Sequence, residues 1–81
     1  MARSLASARH QALRAFLAAK RKVAGLRQVD VAKRLERKSR YVSDVETGRK
    51  TVSAVELLDW AEAIGFDPRE AIKRLAKPKG K

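Results

Sequence analysis

The chain has no cysteine and a single histidine in 81 residues. No disulfide framework or thiolate metal site can form, and one imidazole is too few for most His-based zinc or triad chemistry. No apolar run approaches the roughly 18–20 residues of a membrane span. Despite Arg3, the N-terminus lacks the continuous apolar stretch of a signal peptide. There is no paired acid–base constellation, phosphate loop or nucleophile beside a base, so nothing points to an enzyme. These absences predict a soluble, cytoplasmic protein with no metal, cofactor or membrane partner.

Acidic residues are also scarce, with nine Asp and Glu against twenty Lys and Arg and a formal charge of +11. The imbalance is uneven along the chain. Residues 1–50 carry fourteen basic and four acidic side chains, a net +10, whereas 51–76 carry three and five, a net −2. The last five residues, KPKGK, add +3. A charge segregated in this way predicts an electropositive face for a polyanion, nucleic acid before an anionic membrane surface. At this length one hydrophobic centre is marginally stable, and association with a second copy is one source of help.

Glycine is sparse but well placed. Gly25, Gly48 and Gly65 each follow a stretch with helical periodicity, where a glycine closes the C-terminus in the left-handed conformation. They divide the chain into helical units. The first runs from a cap at Ser4 or Ser7 to Ala24, with Leu13, Phe16, Leu17 and Ala24 along one side and Arg9, Arg14, Lys20 and Lys22 on the others. A second covers about Gln28 to Leu35. The third, about Ser39 to Thr47, has only Val42, Val45 and the ring of Tyr41 to bury. A fourth opens on the capping box Ser53-Ala54-Val55-Glu56 and continues through Leu57, Leu58, Ala61 and Ile64. The fifth opens on Asp67-Pro68-Arg69-Glu70, carries Ala71, Ile72 and Leu75, and is stopped by Pro78. No segment alternates with period two over strand length, so the fold class is all-α. The basic tail 77–81 is expected to be disordered.

Helices two and three are separated only by Glu36-Arg37-Lys38, too short a link for a comfortable antiparallel pair, so they should cross steeply as in a helix-turn-helix. The string GLRQVDVAKRLERKSRYVSDVETGRK resembles the helix-turn-helix of the phage-repressor and Cro-type (XRE-like) regulators. Their usual form is close to G-L-T-Q-x-x-L-A-x-x-L-G-x-S-x-x-x-[IV]-S-x-[IV]-E-x-G-x-[RK]. Gly25, Leu26, Gln28, Ala32, Leu35, Val42, Ser43, Val45, Glu46, Gly48 and Lys50 fall in register with it. LLDWAEAIG resembles that family's fourth helix, and the likeness spans roughly residues 13–66.

The resemblance implies a compact five-helix domain of the lambda-repressor-like type over residues 1–76 that binds double-stranded DNA. Its third helix would lie in the major groove, which is wide enough for one α-helix. By register, the base-reading positions fall on Ser39, Arg40 and Asp44, with Lys38 and Ser43 beside them. The planar fork of Arg40 suits O6 and N7 of guanine; Asp44 can accept from a cytosine amine or instead pair with Arg40 one turn away. Phosphate contacts are implied for Gln28, Arg49 and Lys50, and for Tyr41 if its hydroxyl is not spent on packing. Arg21 and Glu46 occupy the positions of an internal ion pair with a structural role. His10 shows no partner in the sequence and is expected to be exposed.

Three residues depart from the pattern. Arg27 replaces the usual N-cap of helix two, at a cost of about 1 kcal/mol. Glu36 replaces the turn glycine, which asks a side-chain-bearing residue to adopt a left-handed conformation at roughly 1 kcal/mol. Lys38 replaces the N-cap of helix three, where Ser39 offers a substitute one residue later and would change which side chains face the bases.

The family resemblance implies a bacterial or phage transcriptional regulator, nucleoid-associated, acting as a homodimer and repressor on a pseudo-palindromic operator. Trp60, Phe66, Ile72 and Leu75 are expected at the two-fold contact, although Trp60 also suits the core. No sensor domain follows helix five, so no small-molecule ligand is expected. Two further readings stand beside this one: an antitoxin-like DNA-binding protein that also holds a different partner protein, and a nonspecific architectural DNA binder.

Overall fold

A computed structural model describes residues 7–76, and every regular element in that stretch is helical. The order is α1 Ala8–Val23, α2 Gln28–Leu35, α3 Ser39–Thr47, α4 Ala54–Ile64 and α5 Pro68–Ala76. The alternative cap Ser4, Arg3, and the tail 77–81 with Pro78 lie outside the described residues.

Helix starts follow from local chemistry. Ser7 Oγ accepts the His10 amide at 3.2 Å and lies 2.9 Å from the His10 ring nitrogen Nδ1. His10 therefore has a partner and is half-buried, which corrects the expectation of a free, exposed ring. At α4, Ser53 Oγ accepts from the Glu56 amide at 3.1 Å, and Glu56 Oε1 accepts from the Ser53 amide at 2.8 Å. That backbone hydrogen bond is the main reason the Glu56 carboxyl sits below its ordinary pKa. At α5, Asp67 accepts the Arg69 amide at 2.9 Å.

Arg27 cannot accept a hydrogen bond, so α2 is held from its third position instead. Asp30 Oδ2 accepts the Arg27 amide at 2.8 Å, and the Arg27 guanidinium folds onto the same carboxylate at 3.1 and 3.0 Å. The guanidinium contact first, then the amide, holds the Asp30 pKa at about 2. At α3, Lys38 remains the residue before the helix, with extended backbone and no side-chain cap, while its carbonyl accepts from the Tyr41 amide at 2.9 Å. The shift onto Ser39 does not occur.

Glu36 closes α2 at φ 59° and ψ 44°. The Arg37 amide reaches the Ala32 carbonyl at 2.9 Å and the Glu36 amide the Lys33 carbonyl at 3.1 Å, the paired bonds of a Schellman motif. The same pairing closes α3 at Gly48, φ 89°, from Arg49 to Asp44 and from Gly48 to Val45. A glutamate thus does at the first turn what a glycine does at the second, because the hydrogen bonds demand the conformation whichever residue supplies it.

Trp60 lies at the centre of the core, fully buried like Leu17, Val31 and Val42. Its indole Nε1 donates to the Tyr41 hydroxyl at 3.2 Å, so the one polar atom it brings inside is satisfied. This corrects the placement of Trp60 at a subunit contact, since it has no surface to offer. Around it α1 packs against α3, α4 and α5, and α2 against α3 and α4. Ala32 is buried in the core that α2 shares with its neighbours, where a small side chain suits close helix packing.

Candidate nucleic-acid interface

The shortness of the buried edge of α3 determines what that helix can present. Val42 and Val45 are sealed in the core and Tyr41 beside them is nearly so. Burial contributes roughly 1.5–3 kcal/mol for each such aliphatic side chain. Every other α3 side chain stays at least partly accessible, and Ser39 and Arg40 are exposed with Lys38 just before them. The N-terminal end of α3 is therefore a polar, basic prow steadied from behind by two valines.

Its orientation is fixed by a polar network across three helices. Arg21 on α1 grips Glu46 on α3 through Nε to Oε2 at 2.7 Å and Nη2 to Oε1 at 3.0 Å. The remaining nitrogen, Nη1, donates to the Leu26 carbonyl at 2.9 Å. Gln28, opening α2, donates its amide to Glu46 Oε1 at 3.0 Å. Arg21 and Glu46 side chains are only 11% and 7% exposed, so this bidentate pair is largely shielded from water. Gln28 is thereby tied into the network and has one amide hydrogen left for an outside acceptor.

Asp44, at 15% side-chain exposure, sits between two arginines. Arg40 Nε lies 3.8 Å from one carboxylate oxygen and Arg49 Nη1 3.9 Å from the other. Both guanidiniums remain open to solvent, so Asp44 holds them near each other without consuming them. Arg49 and Lys50 project from the loop after α3, their amides anchored on the Asp44 carbonyl at 2.8 and 3.0 Å. A cationic loop thus adjoins the exposed helix, the placement needed for sugar-phosphate contacts beside a groove.

Tyr41 takes the packing alternative. Its hydroxyl accepts from Trp60, burial raises its pKa, and the Arg37 guanidinium lies 4.1 Å from its ring centroid. Arg37 continues to Glu56 at 3.1 Å, a bridge from the turn to α4. The nineteen residues separating Arg37 from Glu56 hide this contact from sequence patterns. Arg14 is another such residue: its guanidinium lies against the Cα of Gly48, so closely that a Cβ there would stand 2.9 Å from Nη1. The α1 side chain thereby adds a second arginine, beside Arg49, at the C-terminal end of α3. Of the expected subunit-contact residues, Phe66 is half-buried with its ring edge-on to Phe16 at 5.2 Å, Leu75 is half-buried, and Ile72 is exposed.

Among the described residues no cluster of His, Cys, Asp and Glu could hold a metal ion, and no helix is long and apolar enough to cross a membrane.

Residues 1–75 match the family model described as a helix-turn-helix domain. No curated protein sequence is similar to the chain. Among solved structures, one is an XRE-family like protein from Pseudomonas syringae pv. tomato. It is 35% identical at a TM-score of 0.79, with 85% of this chain and 84% of that chain covered. The clp gene regulator ClgR from C. glutamicum is 28% identical at a TM-score of 0.76, over 86% and 90% of the two chains. The restriction-modification controller protein C.AhdI from Aeromonas hydrophila is 33% identical at a TM-score of 0.69, over 74% and 91%.

Proposed function

Because the chain belongs to the XRE-like helix-turn-helix family of DNA-binding regulators, we propose that it is a transcriptional repressor that reads a pseudo-palindromic operator as a homodimer in the bacterial or phage cytoplasm. The observation carrying this reading is the exposed, basic N-terminal end of α3, pinned by two buried valines and by the Arg21–Glu46–Gln28 network.

In this reading α3 enters the major groove, and Arg40 spans O6 and N7 of a guanine, with Ser39, Ser43 and Lys38 on the neighbouring edges. Asp44 accepts from a cytosine amine where the base stack brings one within reach, and otherwise aims Arg40. Arg49, Lys50 and the free amide hydrogen of Gln28 hold phosphates, which set the register of the helix but carry no sequence information. Two copies place their α3 helices about one DNA turn apart, roughly 34 Å. Phe66, Ile72 and Leu75 belong to the two-fold contact.

The test is selection of bound sequences from a random duplex pool, followed by footprinting. The expected result is a single enriched site with two half-sites about ten base pairs apart. Enrichment of no sequence, or a footprint with no symmetry, rejects the operator reading.

A further inference from the structure

We infer that the phosphate contact does not stop at Lys50 but runs on across the first turns of α1 to the lysines that follow α5, so that Lys77, Lys79 and Lys81 hold the DNA backbone. The inference rests on the DNA-binding reading above and lengthens its footprint.

α1 and α5 lie side by side and antiparallel. In the last turn of α1, Lys20 Nζ pairs with Glu70 in the first turn of α5 at 3.1 Å. At the start of α1, Arg9 Nε donates to the Leu75 carbonyl at 3.0 Å. Between these two contacts the Arg74 guanidinium stands 5.5 Å from the Phe16 ring centroid. The chain therefore leaves α5 against the first turn of α1. Another side of the same stretch of α1 meets the loop after α3. Arg14 lies over Gly48 there, and His10 and Arg14 share a small cleft with Lys50 and Thr51. The exit from α5 and the phosphate loop thus stand on two sides of one helix, whose width with side chains is roughly 10–12 Å. Five residues extend up to roughly 16–18 Å, so residues 77–81 can span that width and reach the line of phosphates that Lys50 begins.

Charge along this route has one sign. The first acidic residue of the chain is Asp30, with seven Lys and Arg before it, and no acid follows Glu70. No carboxylate lines the cleft, and Lys50 forms no ion pair with another described residue. The first turn of α1 also lacks an acid, although peptide dipoles leave positive charge at a helix start and favour acids there. A helix that opens on Arg9 and His10 breaks that local rule, and such breaks gather where function requires them. The occupant is DNA because the loop at one end of the track is the one assigned to phosphates. A bilayer fits less well, since residues 77–81 offer it no large apolar side chain to insert. Contacts of this kind add affinity to any duplex and carry no sequence information.

The test compares the full chain with its Lys77→Gln, Lys79→Gln, Lys81→Gln variant, on the selected operator and on a random duplex, by fluorescence anisotropy from about 50 to about 200 mM salt. Three phosphates at about 0.9 counterion each predict a slope of log affinity against log salt that is smaller by about two to three units on both duplexes. Affinity at the low-salt end should fall by about tenfold or more on each. Ethylation interference should lose phosphates adjoining those of Lys50. Arg14→Gln probes the middle of the track and should lower the slope by about one unit, with urea unfolding to monitor the fold. Should it unfold the chain, the lysine variant, whose changes lie beyond α5, still decides. The inference is overturned if that variant leaves the slope unchanged, or if its loss appears on the operator alone. It is equally overturned if the variant loses binding to phosphatidylserine vesicles while its DNA slope stays at the wild-type value. Because the random duplex carries the measurement, a chain that enriches no sequence overturns the operator reading alone.

Discussion

The Arg21 guanidinium and the Glu46 carboxylate meet as a two-pronged pair, 2.7 and 3.0 Å apart, between the last turn of α1 and the last turn of α3. Both are largely removed from water, and Glu46 takes a third hydrogen bond from Gln28. A pair so shielded does more to fix geometry than to add stability, because desolvation of the two ions offsets much of their attraction.

Removing one partner therefore has a larger effect than removing both. Arg21→Met should destabilise the fold by about 3–5 kcal/mol by leaving Glu46 buried and uncompensated, while Arg21→Met with Glu46→Leu should come much closer to wild type. Urea unfolding followed by circular dichroism measures both. If the double variant binds operator as tightly as wild type, the pair does not orient α3.

At the first turn, Glu36 adopts φ 59°, a left-handed conformation that costs a side-chain-bearing residue roughly 1–2 kcal/mol. Glu36→Gly should stabilise the protein by up to about 1 kcal/mol, the greater chain entropy of glycine offsetting the remainder. Glu36→Val should do the opposite. Thermal melts of the three proteins decide, and a melting temperature that falls for the glycine variant would show that the turn is not strained.

On DNA, Arg40 and Lys50 should separate cleanly. Arg40→Ala is expected to weaken the selected site by about 1–3 kcal/mol and random duplex much less. Lys50→Ala should weaken both alike and lower the slope of log affinity against log salt by about one unit. Equal losses on the two DNAs for Arg40→Ala remove it from base recognition.

Acid should loosen the start of α2. Arg27 depresses the Asp30 pKa to about 2 in the fold, against about 3.9 for an unstructured aspartate. The folded state thus binds this proton less readily than the unfolded chain. Asp30 contributes its full stabilisation above about pH 4 and loses it as the pH falls to about 2. Asp30→Asn should flatten that part of the stability profile, measured by urea unfolding between pH 5 and pH 2.5; an unchanged profile would assign the acid sensitivity to Glu56 or Asp67.

Much of this was legible along the chain because helix limits are set by groups within five residues of one another. Ser7, Ser53 and Asp67 cap from their own side chains, and Gly25, Gly48 and Gly65 close where the periodicity stops. The polar character of α3 and the segregation of charge were likewise visible, since exposure follows from having only Val42 and Val45 to bury. Asp30 carries no such signal, because a capping box is marked by an acceptor at the N-cap and Arg27 has none; only the fold shows its carboxylate accepting from the Arg27 amide.

What the residues determine by themselves is thus the set of five helices, the basic half of the molecule and the register of the helix-turn-helix, all consequences of short-range hydrogen bonding and of which side chains water excludes. Tertiary packing alone decided that Trp60 faces inward onto Tyr41, that Arg37 bridges to Glu56 and that Arg14 lies over Gly48. Those contacts depend on the rotation each helix adopts about its own axis. That rotation is settled by filling one shared core, a condition on the whole assembly that no local stretch contains.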